Sequence, residues 1–208
     1  MLAHAPQGRP RRLAYLGTPA LAVVPLEKLV DAGFDIALVV SQPDRRRGRG
    51  STPGPSPVKA AAIALGLPVT DRVEDVLDAE VDLGVVVAFG RIIRPAVLEA
   101  VPMVNLHFSL LPRWSGAAPG ERAIRAGDDR TGVDLMVVEE GLDTGGVYAR
   151  SEVAIGPDAD LATVRSRLVD AGVTLLIDSL RTGLGDPAPQ EGEPTYAAKI
   201  APSELELD

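Results

Sequence analysis

The chain has 208 residues, 46% of them hydrophobic and only 3% aromatic, which is enough for one substantial domain with an aliphatic core and too few for two full domains. The absence of cysteine excludes disulfides, thiolate metal ligands and cysteine nucleophiles. No apolar run approaches the roughly 20 residues a membrane-spanning helix needs, and MLAHAPQGRPRR has no apolar stretch of the secretory kind, so a cytoplasmic protein without membrane contact is expected. The net charge of −8 is uneven: residues 1–138 hold 16 Lys and Arg against 15 Asp and Glu, whereas residues 139–208 hold 5 against 14.

In chain order, residues 1–12 read as a disordered tail rich in Pro, Gly and Arg. Residues 13–17, LAYLG, form a buried strand. Thr18 as N-cap and Pro19 in the first turn open a helix that runs to about residue 31 and stops at Gly33. Residues 35–41, DIALVVS, are a second apolar strand, and a strand–helix–strand unit this short predicts a parallel sheet covered on both faces. Residues 42–57 form a long loop with four Arg and four Pro; loops of this length are often functional.

A helix over 58–65, a short strand over 67–70 and a strong strand over 82–89 follow. A helix over 94–100 and a strand over 103–108 come next, then a helix over 119–126 and strands over 133–138 and 146–153. Residues 160–180 place Leu161, Val164, Leu168, Val173, Leu176 and Leu180 at mostly helical spacing. From residue 181 the chain is polar and rich in Gly and Pro, and an extended tail or linker is expected over 183–208. The expected architecture is therefore α/β, an open, mostly parallel twisted sheet with helices on both faces, occupying residues 13–182.

Residues 104–113, VNLHFSLLPR, carry the sharpest chemical signal. Asn105 and His107 are two apart in an apolar run, so on a strand their side chains share one face. The only other histidine, His4, sits in the N-terminal tail. Such a pair can simply be buried and satisfied by backbone groups. The loop that follows, with the only Trp of the chain at Trp114, leaves a strand end, where open α/β sheets place their ligands. Asp143, in the glycine-rich EEGLDTGG, reads either as a turn aspartate or as a partner of the imidazole. Gly17 reads as a tight turn, because G-x-G-x-x-G and G-x-x-x-x-G-K-[ST] are both absent. An amide, an imidazole and a carboxylate suit acyl or formyl transfer to an amine: the amide donates to an oxyanion, the imidazole donates or shuttles a proton, and the carboxylate holds the imidazole protonated or positions a water. One histidine and scattered carboxylates give no metal-ligand set, so no metal is expected.

These residues resemble those of the methionyl-tRNA formyltransferases, the tRNA branch of the folate-dependent formyltransferases. LGTPALAVVPLEKL, SQPDRRRGRG, PSPVK, VVVAFGRII, NLHFSLLPRWSGAAP, AIRAGD, TGVDLM, EEGLDTGG and TYAAKI follow one another in family order between residues 13 and 199. The NxH, SLLP and later Asp are general to folate-dependent formyltransferases; RW-x-GAAP and QPD…GRG are particular to the tRNA branch.

The resemblance implies a Rossmann-like formyltransferase fold and catalysis by Asn105, His107 and Asp143. The formyl donor would be 10-formyltetrahydrofolate, bound by Ser109, Leu110, Leu111 and Pro112 with Phe89, Gly90, Ile92, Glu140, Gly141 and Leu142. The acceptor would be initiator methionyl-tRNA, its phosphates met by Arg45, Arg46, Arg47 and Arg49, and the enzyme a monomer. Ser115 stands where the family usually has Arg, Gly120 where a larger residue is usual, and the family's C-terminal barrel is not encoded before Asp208. The alternatives are a formyltransferase acting on a small amine, such as a nucleotide sugar or purine precursor, and a non-catalytic folate-binding module.

Overall fold

The computed structural model describes residues 2–6, 8–46 and 52–204; Arg47 and Arg49 of the arginine cluster lie outside the described residues. The strands are β1 (Arg12–Gly17), β2 (Asp35–Val40), β3 (Val69–Thr70), β4 (Leu83–Val87), β5 (Met103–His107), β6 (Ser115–Gly116), β7 (Arg130–Val137), β8 (Val147–Ala154) and β9 (Tyr196–Ala197). The helices are α1 (Val23–Asp31), α2 (Pro57–Ala64), α3 (Pro95–Ala100), α4 (Pro119–Arg125) and α5 (Leu161–Thr182).

Seven strands form one sheet in the order β3-β2-β1-β4-β5-β7-β8. The first five run parallel, β7 is antiparallel to β5, and β8 is antiparallel to β7. The expected mostly parallel sheet is thus present, with an antiparallel pair at one side. β6 and β9 make a separate two-stranded parallel pair.

The continuous apolar runs of β1 and β4 are buried because helices cover both faces. On one face Leu26 and Leu29 of α1, Val58 and Ala62 of α2, and Val164, Leu168 and Leu176 of α5 join Leu13, Val85, Val104 and Leu106 in the larger core. On the other face Val97 and Leu98 of α3 pack with Ala14, Leu16, Val86 and Met103. Val73 and Val76 join that second core from a 3-10 helix, Val73–Asp78, which the sequence pattern did not indicate. The sheet order reverses between β1 and β4, which opens a crevice at their carboxyl ends.

Several expectations are corrected. Thr18 does not cap a helix: residues Ala20–Ala22 form a 3-10 turn, α1 starts at Val23, and neither has a side-chain cap. The Thr18 hydroxyl instead donates to Phe89 O at 2.8 Å, across the crevice to the loop after β4. Pairing of β1 with β4 as far as Gly17 and Val87 brings the loops that follow them within reach of this bond. By contrast, Ser56 and Asp160 do cap α2 and α5, accepting from Lys59 N and Thr163 N. The strand expected over 82–89 ends at Val87, where Ala88 takes φ +46 and turns the chain out of the sheet. The N-terminal segment docks: Ala3 N donates to Leu98 O at 2.9 Å, and the amides of Arg11 and Arg12 donate to the Asp82 carboxylate, which they hold below the usual carboxylate range.

Candidate active site

Asn105 and His107 project from one face of β5, in register with Met136 and Asp134 of β7. That face is continuous with Met103 and the second core, while Val104 and Leu106 point to the opposite core. His107 is buried and Asn105 half-buried. Among the described residues the Asn105 amide has no hydrogen-bond partner in the protein.

Two loops converge on the His107 ring. The first leaves β5 and turns at Trp114, a non-glycine residue at φ +61. The Trp114 carbonyl lies 3.2 Å from His107 Nε2 and also accepts from Ser109 Oγ at 3.1 Å. The second joins β7 to β8 and folds back along β5. It places Asp143, at φ +54, with Oδ1 3.6 Å from His107 Nδ1. The other carboxylate oxygen accepts from Gly116 N at 2.8 Å. Gly145 permits this fold-back, since a Cβ there would collide with Val137 O. Both ring nitrogens of His107 therefore face acceptors.

Both loops are braced from outside the β5 strand. Asp134, fully buried, accepts from Leu111 N at 2.8 Å and from Arg150 Nε and Nη2 at 2.7 and 2.6 Å, and Arg150 also donates to Leu111 O. The Asp134 carboxylate raises the Arg150 guanidinium above its ordinary value. Asp128 accepts from Arg113 and from the Trp114 indole N–H, and these two bonds hold its carboxyl low. Arg113 stacks on the Trp114 ring with 4.5 Å to its centroid.

The segment after α5 supplies further contacts. Thr195 Oγ1 accepts from Trp114 N at 2.8 Å, and Gln190 Nε2 donates to Asp143 O and Gly145 O at 2.7 and 2.9 Å. Beyond β9, Glu204 takes bonds from Arg122, Arg125 and Ala201 N, and the Arg122 guanidinium and the Ala201 amide draw its carboxyl down to about 2.

The structure thus brings His107 and Asp143 together, with Asn105 two residues before His107 on the same face of β5. Ser109 and Leu111 are buried in the first loop, and Pro112 is half-buried. Leu110 lines a cavity of about 300 Å³ with Trp114, Asp128 and Thr131. Phe89 is buried, Gly90 exposed, and Glu140, Gly141 and Leu142 lie exposed on the second loop. Ile92 at 89% and Leu142 at 65% are the most exposed large apolar side chains among the described residues. Arg45 and Arg46 are exposed, with Arg45 bridged to Gly54. Gln42, where their loop begins, donates to Phe89 O and Gly90 O and so ties it to the crevice.

Ser115 bonds to Thr195 O through its amide and hydroxyl, and the position of Gly120 has room for a Cβ, which would meet Leu168 at 3.7 Å. Sequence reasoning did not find the Trp114 carbonyl, Asp128, Asp134, Arg150, Gln190 or Thr195. Asp128 in AIRAGD, Asp134 in TGVDLM and Thr195 in TYAAKI sit in the segments that resemble the family; Arg150 and Gln190 carried no such signal. Among the described residues no three His, Asp or Glu side chains gather as metal ligands, and no helix is long and apolar enough to cross a membrane.

Residues 11–180 match the formyl transferase family. The chain is 44% identical over 210 residues to the methionyl-tRNA formyltransferase of Heliobacterium modesticaldum, covering 95% of this chain and 66% of that protein. It is 47% identical over 209 residues to the methionyl-tRNA formyltransferase of Roseobacter denitrificans, covering 95% and 68%. It therefore spans about two thirds of the length of these relatives. Among solved structures, the phosphoribosylglycinamide formyltransferase of Bacillus halodurans superposes with a TM-score of 0.69 at 25% identity, covering 82% of this chain and 93% of that one. The N-formyltransferase of Helicobacter canadensis, in complex with folinic acid and dTDP-3-aminofucose, gives 0.72 at 17% identity, covering 93% and 72%.

Proposed function

The chain belongs to the formyl transferase family, and on that premise we propose that it moves the formyl group of 10-formyltetrahydrofolate onto the amino group of initiator methionyl-tRNA. The observation that carries the reading is a buried His107 ring facing Asp143, with Asn105 on the same face of β5. It stands in a chain 44% and 47% identical to methionyl-tRNA formyltransferases over 95% of its length.

In the proposed reaction the methionyl nitrogen attacks the formyl carbon directly, with no enzyme-bound acyl group. The new N–C bond forms, the carbonyl electrons move to oxygen, and the Asn105 amide donates to that oxyanion. Collapse breaks the bond to the folate nitrogen; the amine loses a proton and the folate nitrogen gains one. His107 handles that proton, and Asp143 orients the ring. The folate would lie along the first loop, Ser109 to Pro112, between the loop after β4 and the second loop. The exposed side chains of Ile92 and Leu142 offer apolar cover there. The arginine loop begins at the same crevice and would meet the phosphates of the acceptor stem.

Likeness to enzymes of purine-precursor and sugar formylation keeps a small amine as the second reading, but that likeness is at 25% and 17% identity. The discriminating experiment replaces Arg45, Arg46, Arg47 and Arg49 with Ala and measures transfer to methionyl-tRNA at low salt. The expected outcome is a KM for methionyl-tRNA raised about 10-fold and a salt dependence of log K flattened by about 0.9 for each lost phosphate contact. A KM and salt slope that do not move, with transfer to a small amine intact, would replace the tRNA reading with the second one.

A further inference from the structure

The two groups that face the His107 ring come from different loops, and each hangs on a residue in the left-handed region. Trp114 at φ +61 presents its carbonyl to Nε2, and Asp143 at φ +54 presents its carboxylate to Nδ1. Neither residue is glycine, so both conformations need an outside hold. The same short stretch supplies it twice. Thr195 Oγ1 takes the Trp114 N–H, while Thr195 N donates to Pro112 O and Thr195 O accepts from Ser115 N. Gln190 Nε2 spans the carbonyls of Asp143 and Gly145. Ala188 pairs with Val147 on one side of this stretch and β9 with β6 on the other, so it is anchored at both ends.

We propose that Gln190 and Thr195 are positioning residues that jointly set the two hydrogen-bond acceptors of the His107 imidazole. The segment following α5 then acts in catalysis through the two loops it clasps. Its role in turnover rests on the formyl-transfer reading; its effect on the ring does not.

The test uses the full chain labelled with 15N, which contains only two histidines. His4 is exposed and serves as the solvated reference. Gln190→Glu keeps the shape and places acceptors against two carbonyls; Thr195→Val keeps the shape and removes the acceptor for Trp114 N–H; Thr195→Ser restores it. The expected result is that the His107 Nδ1 signal changes in Gln190→Glu and the Nε2 signal moves toward that of His4 in Thr195→Val. For each, kcat falls about 10-fold while KM for 10-formyltetrahydrofolate stays within about 2-fold, as for a displaced catalytic group. Thr195→Ser recovers both readouts, and Glu193→Ala, on an exposed residue of the same segment, alters neither.

Ring signals that stay unchanged in Gln190→Glu and Thr195→Val, in proteins whose amide spectra remain folded, would overturn the proposal. If one variant fails to fold, the other decides. If the parent protein transfers no formyl group while the ring signals still respond, the functional reading fails and the positioning role stands.

Discussion

Between β1 and β4 the sheet is apolar and dry: Leu13, Ala14, Leu16, Leu83, Val85 and Val87 are fully buried, and the polar atom beside them, the Tyr15 hydroxyl, donates to Ala22 O at 2.6 Å. Across β5 and β7 the same sheet buries His107, Ser109, Thr131 and Asp134. The first region is held by area removed from water, which requires no particular partner. Polar groups of the second are held by specific mates: Arg150 for Asp134, Trp114 O for His107 and, from 47 residues away, Gln190 for Asp143; Thr131 Oγ1 alone is buried without one among the described residues. Changes in the first region should therefore lower stability without touching the chemistry, while changes in the second should separate the two quantities residue by residue.

The largest expected effect lies in the second region. His107→Ala or Asp143→Ala should lower kcat by about 10²–10⁴-fold, as expected for a positioned acid–base group, with folate affinity and fold retained. Steady-state kinetics with a parallel folate-binding measurement checks this, and near-normal turnover of His107→Ala ends the mechanism. Arg150→Ala should come next. It strands the fully buried Asp134 carboxylate with one amide donor, an uncompensated charge costing about 3–5 kcal/mol. Urea unfolding reads the loss, and a cost below 1 kcal/mol would mean that Asp134 accepts its burial without the guanidinium.

Leu83→Ala in β4 is the mirror experiment. A cavity at this fully buried site should cost about 2–5 kcal/mol while kcat per folded molecule stays at the parent value. A fall in kcat there would erase the division between the two regions. The smallest effect is at the periphery. Glu204 has its carboxyl drawn from an ordinary 4.5 to about 2, so its contribution is whole above about pH 4.5 and is lost as pH falls toward 2. The Ala201 amide resonance, followed from pH 6 to pH 2, should titrate near the lower value; a midpoint near 4.5 would show that the Arg122–Glu204 contact does not persist in solution.

The contrast also explains what could be read from the sequence. β1, β2 and β4 announce themselves as nearly continuous apolar runs, and α5 by helical spacing, since burial and periodicity are local properties of the chain. Asn105 and His107 were legible for the same reason: two polar side chains on one face of an apolar strand are conspicuous. The short pair β6 and β9 was not, because two residues carry no pattern and the partners stand about 80 positions apart. Thr18 misled because the helix starts only at Val23, after a 3-10 turn, and its hydroxyl serves a contact to Phe89 O 71 residues away. The Trp114 carbonyl is a backbone atom, and every residue has one, so no composition or motif could single it out. Gln190 sits in a stretch that reads as a polar linker, and only the loop it clasps reveals its use.

The contacts of Gln190 and Thr195 have a consequence for the order in which the molecule is made. The last strand of the main sheet ends at Ala154, while these two side chains appear after α5 has ended at Thr182. Synthesis proceeds at about 5–20 residues per second, so roughly 2–8 seconds separate the last residue of that sheet from Thr195. During that interval every strand that buries the core already exists as polypeptide, and the two loops flanking His107 still lack the residues that clasp them. A chain ending at Thr182 would hold every strand of the main sheet and the helix that covers it, but not the side chains that fix its imidazole.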